Sequence, residues 1–160
     1  MDNTGFIELC KGAAAALPQS RTRFSAGTCE FNIKDVSIGL FFDEIISNDR
    51  IICFVDIGTP PTQERENILG HFLSLNLLTS TKTSGVYGMD IENDKLFFIQ
   101  HLLYPELLDS DELASLLSDY SFHATELRAT LIDFEGNTLP GLREEFSMHS
   151  QVFASAGRQA

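Results

Sequence analysis

Four histidines and three cysteines are the side chains of this chain best suited to chemistry. His71, His101, His123 and His149 share no metal-ligand spacing with one another, with a cysteine or with an acid, and neither an H-E-x-x-H pair nor an EF-hand loop occurs. Cys10, Cys29 and Cys53 are odd in number and widely spaced, with no C-x-x-C pair, so neither a zinc site nor a disulfide framework is indicated. A nucleophile and base can be written as Cys53 with His101 and Asp56. Cys53, however, sits in an apolar strand pattern, where burial raises a thiol's pKa and leaves it inert. Gly85-Val86-Tyr87-Gly88 carries two glycines but no lysine and no following helix, so it makes no phosphate loop. The carboxylates follow helix surfaces and turns and read as solvated faces. The chain is therefore expected to have no catalytic residue, no cofactor and no metal, and to work through its surfaces.

The bulk properties agree. At 160 residues, 43% of them hydrophobic, the chain can build one sizeable core. Eleven basic residues stand against 23 acidic ones, a net charge of −12, which would repel nucleic acid or an anionic membrane. Thirteen phenylalanines lack the basic interleaving that single-stranded nucleic acid requires. Free cysteines suit a reducing compartment. Met1-Asp2-Asn3-Thr4 is acidic and no long apolar run follows, so neither a secretory signal nor a membrane span is expected.

The elements that must present those surfaces read as follows. Residues 4–17 form a first helix with Phe6, Leu9, Cys10, Ala13 and Leu17 on one face, stopped by Pro18. Residues 18–27 read as a loop. In 28–34, Cys29, Phe31 and Ile33 alternate with polar residues; Val36, Ile38, Leu40 and Phe42 do the same, broken only by Phe41. Ser47-Asn48-Asp49 turns the chain into a strand, 51–55, that is apolar on both faces and hence central. Thr59 or Thr62 can cap the next helix. A second hairpin follows, Tyr87, Met89 and Ile91 against 96–103, ended by Pro105. Asp109 and Glu112 form a capping-box pattern. Behind it Leu113, Leu117, Tyr120, Ala124, Leu127, Leu131 and Phe134 make one amphipathic stripe. Periodicity fades after Gly136. The expected architecture is an α+β domain over 1–135, an antiparallel five-stranded sheet with three helices in the order α-β-β-β-α-β-β-α, and a flexible tail over 136–160.

The helix over 64–78 is too apolar for a single partner. Ile68, Phe72 and Leu75 form one stripe; Leu69, Leu73 and Leu77 form another, a third of the way round. A helix that covers one sheet needs one stripe. Two stripes suit a core on one side and a second subunit on the other, the alternative being a helix buried within one larger core.

Two stretches of the chain resemble a known family. The run from Cys29 to Ile33 and on through Leu40, and the segment ILGHFLSLNLLTSTKTSGVYGMDIENDKLFFIQ over 68–100, are similar to class I type III secretion chaperones of the Tir-chaperone (CesT-like) group. Leu73 and Asn76 match that family's Leu-x-x-Asn helix, Tyr87 to Ile91 its glycine-led strand, and Leu96 to Ile99 the partner strand. The resemblance spans about residues 4–134. It implies a homodimer in the bacterial cytoplasm that binds the non-globular N-terminal segment of a secreted effector and keeps it ready for export, with the secretion ATPase as a further partner. On that reading Phe6, Leu9, Phe31, Ile33, Val36 and Ile38 are the expected effector-binding residues, each with plain core as its alternative. Leu69, Leu73 and Leu77, joined by Tyr87 and Met89, are the expected dimer interface. Two other readings stay open: a protein-binding adaptor of similar fold unrelated to secretion, and an enzyme with a cysteine nucleophile.

Overall fold

The computed structural model describes residues 1–79 and 85–132. Helix α1 (Asn3–Ala16) is followed by strands β1 (Arg21–Ser25), β2 (Thr28–Ile33), β3 (Val36–Asp43) and β4 (Ser47–Gly58). Helix α2 (Arg65–Thr79), strands β5 (Val86–Asp90) and β6 (Lys95–Leu103), and helix α3 (Ser110–Ile132) complete the chain. The strands form one antiparallel sheet in the order β1-β2-β3-β4-β6-β5. The expected tail over 136–160, the loop residues 80–84 and Phe134 lie outside the described residues.

The sheet has six strands rather than the expected five. The segment 18–27 holds β1, which returns on β2 through Ala26-Gly27, where Gly27 takes φ +68°. As an edge strand β1 is solvated on both faces, so it shows no apolar alternation to read. The turn after β3 also differs: Ser47 to Asp49 already belong to β4, and the chain reverses just before them. There Asp43 Oδ1 accepts the backbone N–H groups of Ile45 and Ile46 at 2.9 and 3.0 Å. No threonine caps α2; a short 3-10 turn over Thr62–Glu64, preceded by Pro61, leads into it.

Helices α1 and α3 lie together on one face of the sheet. That face carries Cys29, Phe31, Ile33, Val36, Ile38, Leu40, Phe42, Ile51, Cys53, Val55 and Ile57, all buried. The stripe of α3 meets them through Leu113, Leu117, Ala124 and Leu131. Its start is set by a reciprocal capping box. Asp109 Oδ1 accepts from the N–H of Glu112 at 2.8 Å, and the N–H of Asp109 donates back to Glu112 Oε2 at 3.1 Å. The two helices approach at Gly12, where a β-carbon would lie 2.7 Å from Ser110 Cβ. Ser110 Oγ donates to the Leu9 carbonyl at 3.3 Å across the same contact.

The far end of α3 is tied down by Arg128. Its guanidinium donates to the carbonyls of Ile57 (3.0 Å), Asp56 (2.8 Å) and Asp35 (2.9 Å). The hairpin it grips needs the hold: Lys34 and Asp35 both take positive φ, 49° and 66°, a conformation that residues with a β-carbon resist. Arg128→Ala is expected to lower stability by about 3 kcal/mol, because three carbonyls lose a charged donor at once. The thermal midpoint should fall by roughly 10 °C; an unchanged midpoint in a calorimetric scan would contradict this role.

Candidate functional site

Among the described residues no helix covers the second face of the sheet, and that face is not polar. Strand alternation sends Phe41 of β3, Ile52 and Phe54 of β4, and Phe97 and Ile99 of β6 to that side. The register aligns them: Phe41 lies opposite Ile52, and Phe54 opposite Ile99. Phe54 meets the rings of Phe41 and Phe97 edge-on, at centroid separations of 5.3 and 6.5 Å. Gly39 and Gly88 keep the neighbouring floor low. A β-carbon at Gly39 would press on the Phe41 ring at 3.3 Å, and one at Gly88 on Ile99 Cδ1 at 3.4 Å. The result is an open trough of about 940 Å³ across the middle of the sheet.

Charged pairs stand at both sides of this apolar floor. Arg23 Nη1 reaches Glu30 at 3.3 Å on the β1–β2 side. Lys95 Nζ lies 2.6 Å from Asp56 Oδ2 on the other. Asp56 is buried, and its Oδ1 has no hydrogen-bond partner among the described residues; the Arg128 guanidinium, 3.7 Å away, supplies the compensating charge. Such a site offers apolar pockets for side chains and polar anchors beside them. It suits an extended polypeptide better than a small molecule, because it is open along its length.

The six residues expected to bind an effector are elsewhere. Phe6, Leu9, Phe31, Ile33, Val36 and Ile38 all lie in the core between sheet and helices, and the least covered of them, Ile33, is 8% exposed. Phe6 stacks on Phe42 at 5.4 Å within that core. The sequence did carry a trace of the trough. Phe41 breaks the β3 alternation, and β4 and β6 are apolar at consecutive positions, so both of their faces bear apolar side chains.

The five expected interface residues do share one region. Ile68 and Phe72 of α2 are buried; Leu69, Tyr87 and Met89 are half-buried; Leu73 and Leu77 are 69% and 72% exposed, one helical turn apart. Asn76, between them, fixes this helix on the edge strand β5. Its Nδ2 donates to the Tyr87 carbonyl at 2.9 Å and its Oδ1 accepts the Tyr87 N–H at 2.6 Å. The carboxamide thus takes the place of a neighbouring strand at that residue. Phe72 packs on the Tyr87 ring at 4.8 Å, and the Tyr87 hydroxyl meets His123 Nε2 at 3.0 Å.

The nucleophile set does not assemble. Cys53 faces the helices, and burial pushes its thiol up to about 12. His101 pairs with Ile52 and Asp56 lines the trough, so both belong to the opposite face. Among the described residues no helix is long and apolar enough to cross a membrane.

Residues 11–128 match the family described as Tir chaperone protein (CesT). No curated protein matches the chain in sequence. Two complexes are among the solved structures that share the fold. The ExsC–ExsE complex contains a chain that is 15% identical with a TM-score of 0.66, the match covering 82% of this chain and 97% of that one. The HopA1–SchA chaperone–effector complex contains one that is 16% identical with a TM-score of 0.58, covering 81% and 98%.

Proposed function

The chain belongs to the Tir chaperone protein (CesT) family, and we propose that it is a type III secretion chaperone whose open sheet face holds the non-globular N-terminal segment of a secreted effector. The observation that carries this reading is the aromatic trough of Phe41, Phe54 and Phe97, an apolar surface on the side of the sheet that no helix among the described residues covers. An extended chain would lay alternate side chains into it. Two chains of similar fold come from complexes, one of them described as chaperone–effector, which supports the same class of partner. The sheet edges differ in a way that bears on how such a segment enters. The β5 edge is held at Tyr87 by Asn76, whereas β1 is an exposed terminal strand. A bound segment that pairs backbone to backbone would therefore extend the sheet from β1.

In this reading the protein is a homodimer of the bacterial cytoplasm, joined through Leu69, Leu73 and Leu77 of α2 with Tyr87 and Met89 of β5. It does no chemistry of its own and presents its cargo to the secretion ATPase. Residues 1–135 carry the work, so a chain ending at Gly136 should melt close to the full protein and bind as well.

Hydrogen exchange on the captured partner, purified with the chaperone from the native cell, tests the function. Protection confined to a short stretch near the N-terminus of an otherwise unprotected chain is the expected result. A compact partner protected throughout would indicate an adaptor instead.

A further inference from the structure

The strand ends at one side of the molecule carry a second apolar surface that the trough does not include. Ile45 and Ile46, at the tip between β3 and β4, are 89% and 85% exposed. Asp43 Oδ1 holds that tip by accepting both of their N–H groups, so their exposure belongs to a formed turn. Leu103, Tyr104 and Leu107, also exposed, come to the same end of the sheet. There Arg50 pairs with Leu103 across β4 and β6, and the Tyr104 N–H donates to the Asp49 carbonyl at 2.9 Å. Tyr104 takes a left-handed conformation, φ 53° and ψ 57°, which a residue with a β-carbon adopts at a cost. A strained backbone beneath an exposed tyrosine, with four exposed aliphatic side chains at the same end of the sheet, is poorly accounted for by folding alone.

The charge around this surface is one-sided. Asp43, Glu44, Asp49, Glu106 and Asp109 lie in the two segments that build it. Within those two segments the one cation is the guanidinium of Arg50, already engaged by both oxygens of Asp49 at 2.9 and 3.0 Å. An apolar patch among carboxylates complements an apolar segment bearing cations, and it repels an anionic bilayer. None of its five apolar residues lines the trough, so the two surfaces do not share an apolar residue.

We propose that Ile45, Ile46, Leu103, Tyr104 and Leu107 form a second docking surface for a basic amphipathic segment of a protein other than the chaperoned chain. It gives a loaded chaperone a face by which another component can recognise it. This assignment rests on exposure and charge at the strand ends and stands whether or not the trough binds an effector.

The test uses two fluorescent peptides with the same helical spacing of leucines, one filled with lysine and the other with glutamate. The partners are the full-length protein, its Ile45→Ser/Ile46→Ser double variant and a Phe41→Glu trough variant. Both substituted sites are exposed, and circular dichroism melts verify that each variant folds. The lysine peptide is expected to bind the parent protein and the trough variant alike. Its binding should weaken with salt, and it should be roughly tenfold or more weaker with the double variant, since central apolar anchors dominate such contacts. Equal affinity for the double variant would overturn the proposal, because the peptide would then be following net charge. So would equal binding of the glutamate peptide, or loss of self-association in the double variant, which would make the surface a contact between copies.

Discussion

Replacing Leu73 and Leu77 of α2 together with glutamate should turn a dimer into monomers that remain folded. Both side chains already face solvent in the single chain, so charging them takes nothing from its core. The helix that carries them is held independently, by Ile68 and Phe72 in the core and by the Asn76 carboxamide on Tyr87. In a dimer that buries this stripe the two leucines would contribute about 1.5–3 kcal/mol each by leaving water. Two carboxylates in their place would have to be desolvated without partners. The dimer dissociation constant should therefore rise by about a hundredfold or more. Light scattering after size exclusion at low micromolar protein would show the mass halved while circular dichroism is unchanged. A double variant that stays dimeric would move the interface elsewhere, and a monomeric parent protein would remove the homodimer altogether.

Phe31→Ala and Phe54→Ala should separate stability from binding. Phe31 is fully buried between the sheet and the helices. Truncating it leaves a cavity, at an expected cost of about 3–5 kcal/mol and a thermal midpoint lower by 10 °C or more. The molecules that remain folded should bind the effector segment as before. Phe54 is half-buried in the trough, between Phe41 and Phe97. Its truncation should lower stability far less and weaken the effector segment about tenfold, as expected for a central aromatic anchor. Calorimetric melts and titration of a synthetic N-terminal effector segment give the two readouts. The opposite pattern, with binding lost in Phe31→Ala and kept in Phe54→Ala, would return the site to the α1 side of the sheet and overturn the trough.

The contrast between those two phenylalanines shows where linear reading stops. The stripe on α3 and its Asp109–Glu112 capping box could be read directly, because both are set by spacing within one helix. The two stripes of α2 were visible for the same reason. β1 was not visible: Arg21–Ser25 is solvated on both faces, and its order comes from pairing with β2 rather than from its own pattern.

What the sequence determined by itself is a set of local choices: three helices, five of the six strands, most of their turns, apolar side chains on more than one face of α2, and a charge that disfavours nucleic acid as a partner. Only the tertiary structure decided which apolar side chains became surface. Phe31 and Phe54 both stand in apolar strands, and period-two alternation gives each strand two faces without saying which one the helices will cover. Packing α1 and α3 on the same face buried Phe6, Phe31 and Ile38 and left Phe41, Phe54 and Phe97 to line the trough. That outcome depends on contacts between segments as much as 100 residues apart, such as Ser110 with Leu9 and Arg128 with Asp35. No local pattern encodes them.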